Sequence, residues 1–278
     1  CTLNSTSRLG RKKIKRNMVM MSTHINENVL EFYKELPFNY RESVEGHALS
    51  VMRKTRWAGT AYEMISPMLK SRAKILEVGC GAGWLSNRIS YHNRCSVTGI
   101  DFNPVAIERA RMVSEYIGRK VNFEVADLFE YEMKPADLII SLGVLHHTGN
   151  FKGALEKICQ STDGSIFIGL YHKYGRKPFL DEFANIEGEV AKFKRYCELD
   201  TRFNDKTHLL SWFRDQVLHP HETQHTMEEV NEILKDNNMK VIWSSIEGDE
   251  KLCEDVGRKK LLNNEYWPGF FTFLARKI

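Results

Sequence analysis

A glycine-rich run directly follows a short apolar stretch in the first third of this 278-residue chain. Glycines stand at positions 79, 81 and 83, and Glu77 precedes the first of them by two residues. Glycine adopts backbone conformations that a Cβ forbids and lets a ligand come close to the backbone, while free amides at a helix N-terminus favour an anionic group. The run therefore predicts a strand that ends in a ligand-binding turn and opens a helix.

The spacing of the glycines separates two kinds of ligand. A dinucleotide-binding turn has the pattern G-x-G-x-x-G, but a fingerprint that began at Gly81 would meet Ser86 where it needs its last glycine. The pattern E-x-G-x-G-x-G, with Glu77, Gly79, Gly81 and Gly83, resembles motif I of the class I S-adenosylmethionine-dependent methyltransferases. The resemblance implies that this loop holds the methionine part of the cofactor. An ordinary strand-to-helix turn is the alternative.

Acidic residues follow the next two apolar runs. Asp101 could accept hydrogen bonds from both hydroxyls of a ribose, but NAD-dependent dehydrogenases carry a similar acid, and a plain strand-end cap is also an option. In the resembling family, Asp127 would face the adenine amino group and Leu128 would lie beside the ring. Phe102 is a further candidate to pack on adenine, or else a core residue.

The fourth apolar run continues through Leu142 and Gly143 to His146 and His147. The resemblance implies that this segment passes beneath the cofactor and brings side chains to the reacting methyl group. An imidazole titrates near neutral pH, so we predict His147, and after it His146, as the base. The alternative is that both histidines shape the loop or contact the methionine moiety. Four strand ends in this order favour S-adenosylmethionine over NAD.

Polar and aromatic residues follow the fifth run and fill the segment after it. Tyr171 and His172 are further candidates for catalysis, and a polar loop without a catalytic role is the alternative. We predict that residues 173–225 form a lid over the acceptor. The candidates to bind the substrate are Arg176, Trp212, Arg214, His219 and His221.

The lid contains a literal H-E-x-x-H sequence at His221, Glu222 and His225. On a helix this pattern would place two zinc ligands on one face, with the glutamate as a base. However, Pro220 precedes it and a capping box starts at Thr226, so we predict a loop and no metal site. A site formed by three histidines of this segment, without peptidase activity, is the alternative.

Charge and composition narrow the class of protein. The net charge is only +4, so the basic run 11–16 and the basic, aromatic run 53–57 give little support for a nucleic-acid surface. No segment approaches the about twenty apolar residues of a membrane span. The six cysteines show no C-x-x-C spacing, which is typical of reduced thiols. We therefore expect a cytoplasmic enzyme.

Short apolar runs alternate with helical patterns from residue 74 onward, which is how a parallel sheet with crossover helices is encoded. We predict a doubly wound, mostly parallel seven-stranded α/β sheet, a Rossmann-like methyltransferase fold with a C-terminal antiparallel strand. A long loop is expected between the last two strands. The predicted strands are 74–79, 96–101, 121–126, 136–142, 165–171, 240–246 and 270–276, and the helices are 83–92, 104–117, 151–160 and 227–235.

The predicted organisation has five parts. They are a basic, disordered tail (1–21), an N-terminal helical cover (22–72), the cofactor-binding core (73–172), the lid (173–225) and the completion of the core (226–278). The resulting hypothesis is transfer of a methyl group from S-adenosylmethionine to a small molecule. Methylation of protein or RNA and non-catalytic binding of S-adenosylmethionine are the alternatives. The accepting atom and the oligomeric state are open.

Overall fold

Two helices and two short 3-10 turns precede the first strand in the computed structural model, which describes residues 24–53 and 61–278. Residues 24–35 are helical (α1), and α2 is Val44–Met52. The 3-10 turns are Ala61–Met64 and Ser66–Met68. The basic run 11–16 and residues 54–57 of the second basic run lie outside the described residues.

A seven-stranded sheet forms the centre of the described part, in the order β3-β2-β1-β4-β5-β7-β6. β7 is antiparallel to both β5 and β6, and the other pairs are parallel. The predicted fold class is confirmed. The strands are β1 (Lys74–Val78), β2 (Ser96–Asp101), β3 (Asn122–Val125), β4 (Leu138–Leu142), β5 (Ser165–Tyr171), β6 (Met239–Ser244) and β7 (Phe270–Lys277).

Helices cover both faces of this sheet. Alternate residues of a strand point to opposite faces, so Ile139 packs with residues of α5 and α9, while Ile140 packs with residues of α3 and the 3-10 turns. Because both faces are buried, the central strands are nearly continuous apolar runs. The crossover helices are α3 (Trp84–His92), α4 (Pro104–Tyr116), α5 (Phe151–Gln160) and α9 (Met227–Asp236).

Three helices occupy most of the segment between β5 and α9. They are α6 (Lys173–Ala184), α7 (Glu189–Leu199) and α8 (Lys206–Val217). The core of this part is aromatic, with Phe179, Tyr196 and Phe213 fully buried. It is therefore a packed helical unit with its own apolar centre.

The prediction of a long loop between β6 and β7 was wrong, because helix α10 (Leu252–Leu262) lies there. Its buried residues are only Gly257 and Leu261, whereas Leu252 and Leu262 are exposed. A helix with so narrow a buried face has little amphipathic pattern to reveal it. It packs on α6, where a Cβ on Gly257 would lie 3.0 Å from Pro178 Cγ.

Candidate active site

The glycine turn after β1 takes backbone conformations that other residues rarely adopt. The φ angles of Gly79, Gly81 and Gly83 are +72°, +51° and +76°. A Cβ on Gly79 would lie 2.2 Å from Val144 Cγ2, so this turn also approaches the loop after β4 closely. Both the positive φ and the close contact require glycine.

Asp101, at the end of β2, holds the glycine turn in place. Its carboxylate accepts hydrogen bonds from the amides of Gly81 (2.8 Å) and Asn103 (2.9 Å). Burial raises the pKa of Asp101 to about 6, against the effect of these two bonds. The carboxylate therefore orders the loop and remains an acceptor at the edge of the cavity described next.

A cavity opens beyond the carboxyl ends of the parallel strands, where ligands of such sheets bind. Its enclosed part is about 110 Å³, measured as the space open to the centre of a water-sized sphere, and it widens toward the solvent. The predicted cofactor residues that line it are Gly79, Gly81, Asp101, Phe102, Asp127, Leu128, Leu142 and Gly143.

Glu77 and Gly83 do not line the cavity. Glu77 is buried under the turn and accepts a hydrogen bond from the Ser86 hydroxyl, and burial raises its pKa to about 8. A Cβ on Gly83 would lie 2.6 Å from Ala110 Cβ. In this structure the two residues support the turn and the packing of α3 against α4.

The two histidines after β4 are hydrogen-bonded to each other. His147 Nδ1 lies 2.9 Å from the His221 carbonyl, which only accepts, so Nδ1 carries the proton of the neutral ring. The Tyr171 amide donates to His146 Nδ1 (3.3 Å), which leaves the His146 proton on Nε2. That proton points at His147 Nε2, 3.1 Å away. His147 Nε2 is therefore already an acceptor within the pair.

Burial of both imidazoles disfavours their protonated forms. It lowers the pKa of His147 to about 4 and that of His146 well below the usual range. His147 lines the cavity, whereas His146 has no exposed surface. Both rings are neutral at physiological pH.

Tyr33 of α1 and Asp215 of α8 are among the polar residues that line the cavity and that no sequence motif marks. The Tyr33 hydroxyl donates to the Asp215 carboxylate, and Tyr171 approaches the same carboxylate at 3.4 Å. Burial raises the pKa of Asp215 to about 7. Tyr33 and Asp215 are 182 positions apart, so no local pattern could reveal the pair.

Tyr171 and His172, both predicted to be catalytic, lie behind the cavity wall. Tyr171 is buried between Asp215 and the Arg176 guanidinium, which lies 3.8 Å from its ring centre. His172 caps α6 by accepting from the Gly175 amide, and its Nε2 lies 2.7 Å from the Glu250 carboxylate. His172 therefore points away from the cavity and anchors α6.

Arg176, predicted to bind the substrate, is fully buried outside the cavity. Its Nε and Nη2 donate to Glu222 at 3.0 and 2.7 Å, and it also donates to the carbonyls of Gln216 and Pro268. These bonds join α6, α8 and the loop before α9. Arg176 is therefore a structural cross-link. A ligand in the cavity would not reach its side chain in this conformation.

The other four predicted substrate residues connect residues 173–225 to the N-terminal region or to the loop after β4. Trp212 Nε1 lies 3.2 Å from Asn39 Oδ1, and Arg214 forms an ion pair of 2.6 Å with Glu35. His219 stacks on His147 at 3.6 Å. His221 contributes its carbonyl to His147. None of these four side chains lines the cavity.

The H-E-x-x-H segment is irregular, as the prediction of a loop requires. Glu222 pairs with Arg176, and the His225 ring stacks on Phe151 at 3.5 Å, so the three side chains diverge. Within residues 24–53 and 61–278, no group of three or more His, Cys, Asp or Glu could hold a metal ion. Across the same residues, no helix is long and apolar enough to cross a membrane.

A comparison of the chain with known proteins identifies its family. A family model described as a methyltransferase domain matches residues 69–238, more than half of the chain. A malonyl-[acyl-carrier protein] O-methyltransferase of Acetivibrio thermocellus is 27% identical over 165 residues, which are 58% of this chain and 56% of that protein. The chain thus spans little more than half of this relative's length.

Solved structures share the fold. A magnesium protoporphyrin IX methyltransferase from Synechocystis, with bound S-adenosylhomocysteine, superposes with a TM-score of 0.51 at 16% identity over 84% of each chain. A methyltransferase from Methanosarcina mazei gives 0.52 at 17% identity over 78% of this chain and 98% of that one. With the glycine turn and the strand-end carboxylates in place, the chain belongs to the class I S-adenosylmethionine-dependent methyltransferase family.

Proposed function

We propose that this protein transfers a methyl group from S-adenosylmethionine to a small molecule bound in the same cavity. One observation carries the proposal. The cavity is lined both by the residues of the cofactor motifs at the strand ends and by Tyr33, His147 and Asp215. A cofactor and an acceptor could therefore meet between these two groups of side chains.

The residues present fit S-adenosylmethionine. Gly79 and Gly81 offer a backbone without side chains to the methionine part, and Asp101 offers carboxylate oxygens to the ribose. Asp127 and Leu128 are placed to receive the adenine. When bound, the cofactor supplies a methyl group that its sulfonium already activates.

The cover and the lid give the acceptor site its enclosure. Helix α1 bonds to α8 through Tyr33 and Asp215, and Glu35 of α1 pairs with Arg214. These contacts bring both helices to the cavity wall, and a covered site aligns the reactants and keeps water out. An enclosed cavity favours a small acceptor over the surface of a macromolecule.

The base predicted from sequence was a histidine, but its geometry supports a different role. His147 Nε2 already accepts from His146, and burial lowers the pKa of His147 to about 4. A base must have a free lone pair and a pKa near the working pH. We assign to His147 a position in the cavity wall, held by its bond to the His221 carbonyl.

The alternatives differ in what they predict. The Acetivibrio relative's name refers to an acyl-carrier substrate, so an acceptor carried on a protein is a second candidate. Methylation of RNA predicts salt-dependent binding of RNA. A non-catalytic protein predicts binding of S-adenosylmethionine without release of S-adenosylhomocysteine. A cytoplasmic location stays a prediction.

Calorimetry with S-adenosylhomocysteine tests the proposal. We expect saturable binding at one site, and at least a tenfold loss of affinity in Asp101→Asn, because the amide replaces an acceptor oxygen by a donor. Asp163→Asn, in an exposed turn away from the cavity, is the matched control. Wild-type protein that shows no saturable binding would contradict the proposal. Formation of S-adenosylhomocysteine from S-adenosylmethionine in the presence of a candidate acceptor identifies turnover.

A further inference from the structure

Three carboxylates line the cavity among the described residues, and only one of them comes from outside the strand ends. Asp101 and Asp127 follow β2 and β3, whereas Asp215 reaches the cavity from α8 of the lid. The resemblance to the family gives the first two a place against the cofactor. Asp215 is the one of the three to which the resemblance gives no contact with the cofactor, so it is available to an acceptor.

The surroundings of Asp215 supply hydrogen-bond donors but no close cation. The hydroxyls of Tyr33 and Tyr171 point at its two oxygens. His147 Nε2 lies 3.8 Å from Oδ1, and that ring is neutral. Among the described residues, no lysine or arginine forms an ion pair with Asp215. The hydrogen bonds to Asp215 thus offset only part of the rise in its pKa that burial causes, and the carboxyl titrates near neutral pH.

More distant charges act on Asp215 in opposite directions. The Arg176 guanidinium, on the far side of the Tyr171 ring, favours the ionised form, whereas the Glu222 carboxylate opposes it. These two groups are ion-paired with each other, so their effects largely cancel at Asp215. The pKa of Asp215 is therefore controlled mainly by burial, which raises it, and by the hydrogen bond from Tyr33, which lowers it.

We propose that Asp215 is the catalytic base that takes the proton of the methyl acceptor, with Tyr33 as the residue that positions it. This inference rests on the proposed function. The proton of the acceptor's O–H, N–H or S–H group passes to an Asp215 oxygen, and the acceptor's lone pair forms the bond to the methyl carbon. The electron pair of the broken carbon–sulfur bond stays on sulfur. The acceptor class is thus a nucleophile that carries a proton.

The lone pairs that are free to accept a proton favour Asp215 over the histidine pair as the base. The one lone pair of neutral His147 that faces Asp215 already accepts from His146, so it would first have to break that bond. The Asp215 carboxylate keeps free lone pairs after accepting from two hydroxyls, because each oxygen has two. The unprotonated carboxylate can therefore accept a further hydrogen bond from a ligand.

Carbon-13 NMR of aspartate carboxyls, with S-adenosylhomocysteine bound, tests the state of this group. In the wild type we expect one carboxyl that titrates near pH 7 and that disappears in Asp215→Asn. Asp205→Asn, at the N-cap of the same helix and outside the cavity, keeps that signal. Tyr33→Phe raises the titration midpoint, because it removes a bond to the ionised form. An Asp215 signal near pH 4, or a midpoint unmoved in Tyr33→Phe, overturns the proposal.

Calorimetry with S-adenosylhomocysteine separates this role from cofactor binding. Asp215→Asn should bind within about twofold of the wild type, and a tenfold loss would mean that Asp215 contacts the cofactor, against the proposal. If the wild type itself does not bind, the proposed function fails, whereas binding together with an ordinary Asp215 titration defeats only this inference. Once an acceptor has been identified by the formation of S-adenosylhomocysteine, Asp215→Asn should lower kcat by about 10²–10⁴. It should also remove the limb near pH 7 from the pH–rate profile. Unchanged kcat and pH profile contradict it.

Discussion

Replacing Gly79 by alanine tests how the glycine turn supports ligand binding. Gly79 has φ +72°, and a Cβ there would lie 2.2 Å from Val144 Cγ2 and 2.7 Å from Cγ1. The left-handed conformation costs an L-residue about 1–2 kcal/mol. Val144 is β-branched and stiff, so overpacking adds about 1–3 kcal/mol. The turn must move, or the fold must carry about 2–5 kcal/mol of strain.

A movement of the turn would withdraw the backbone from the cofactor. We expect Gly79→Ala to bind S-adenosylhomocysteine at least tenfold more weakly in calorimetry, since tenfold corresponds to about 1.4 kcal/mol. Removing the clash in Gly79→Ala/Val144→Ala should recover part of the affinity.

A glycine remote from the cavity provides the control. Gly118 has φ +63° and no atom within 4 Å of an added Cβ. Gly118→Ala therefore carries the conformational cost alone, and it should lower the unfolding free energy without changing the affinity for S-adenosylhomocysteine. Wild-type affinity in Gly79→Ala, or no recovery in the double variant, would refute the reasoning.

Three further predictions concern stability, each measured by urea unfolding. Arg176→Met leaves the partly buried Glu222 carboxylate without its guanidinium partner, so the unfolding free energy should fall by up to about 3–5 kcal/mol. Adding Glu222→Gln should restore part of the loss, and additive losses in the double variant would contradict this. Folding raises the pKa of Asp215, so the unfolding free energy of the wild type should fall by up to about 4 kcal/mol relative to that of Asp215→Asn as the pH rises from about 4 to 7. A difference between the two unfolding free energies that does not change with pH would argue against this. Thr226→Ala, which breaks the capping box of α9, should cost about 0.5–2 kcal/mol, whereas Thr226→Ser should cost less.

The sequence was enough to predict the sheet and the cofactor side of the cavity, because these depend on local patterns. The central strands β4 and β5 are mostly apolar, and Asp101 and Asp127 lie at or just after strand ends that the topology brings to one edge. The capping box at Thr226 is local as well, and α9 begins where it predicts.

The acceptor side could not be predicted, because it depends on contacts between distant segments. Asp215 meets Tyr33 only after α8 packs against α1, and the pairing of Arg176 with Glu222 depends on the fold of the loop before α9. Residue type alone suggested that Arg176 binds the substrate and that His172 takes part in catalysis. Burial and partners instead assign both to internal cross-links.

A crystal structure with S-adenosylhomocysteine tests the central claim most directly, that cofactor and acceptor share one cavity. We expect the adenine at Asp127 and Leu128, the ribose hydroxyls at Asp101, and the sulfur directed toward the space beside Asp215. A ligand bound elsewhere, or one whose sulfur faces away from Asp215, would contradict the account.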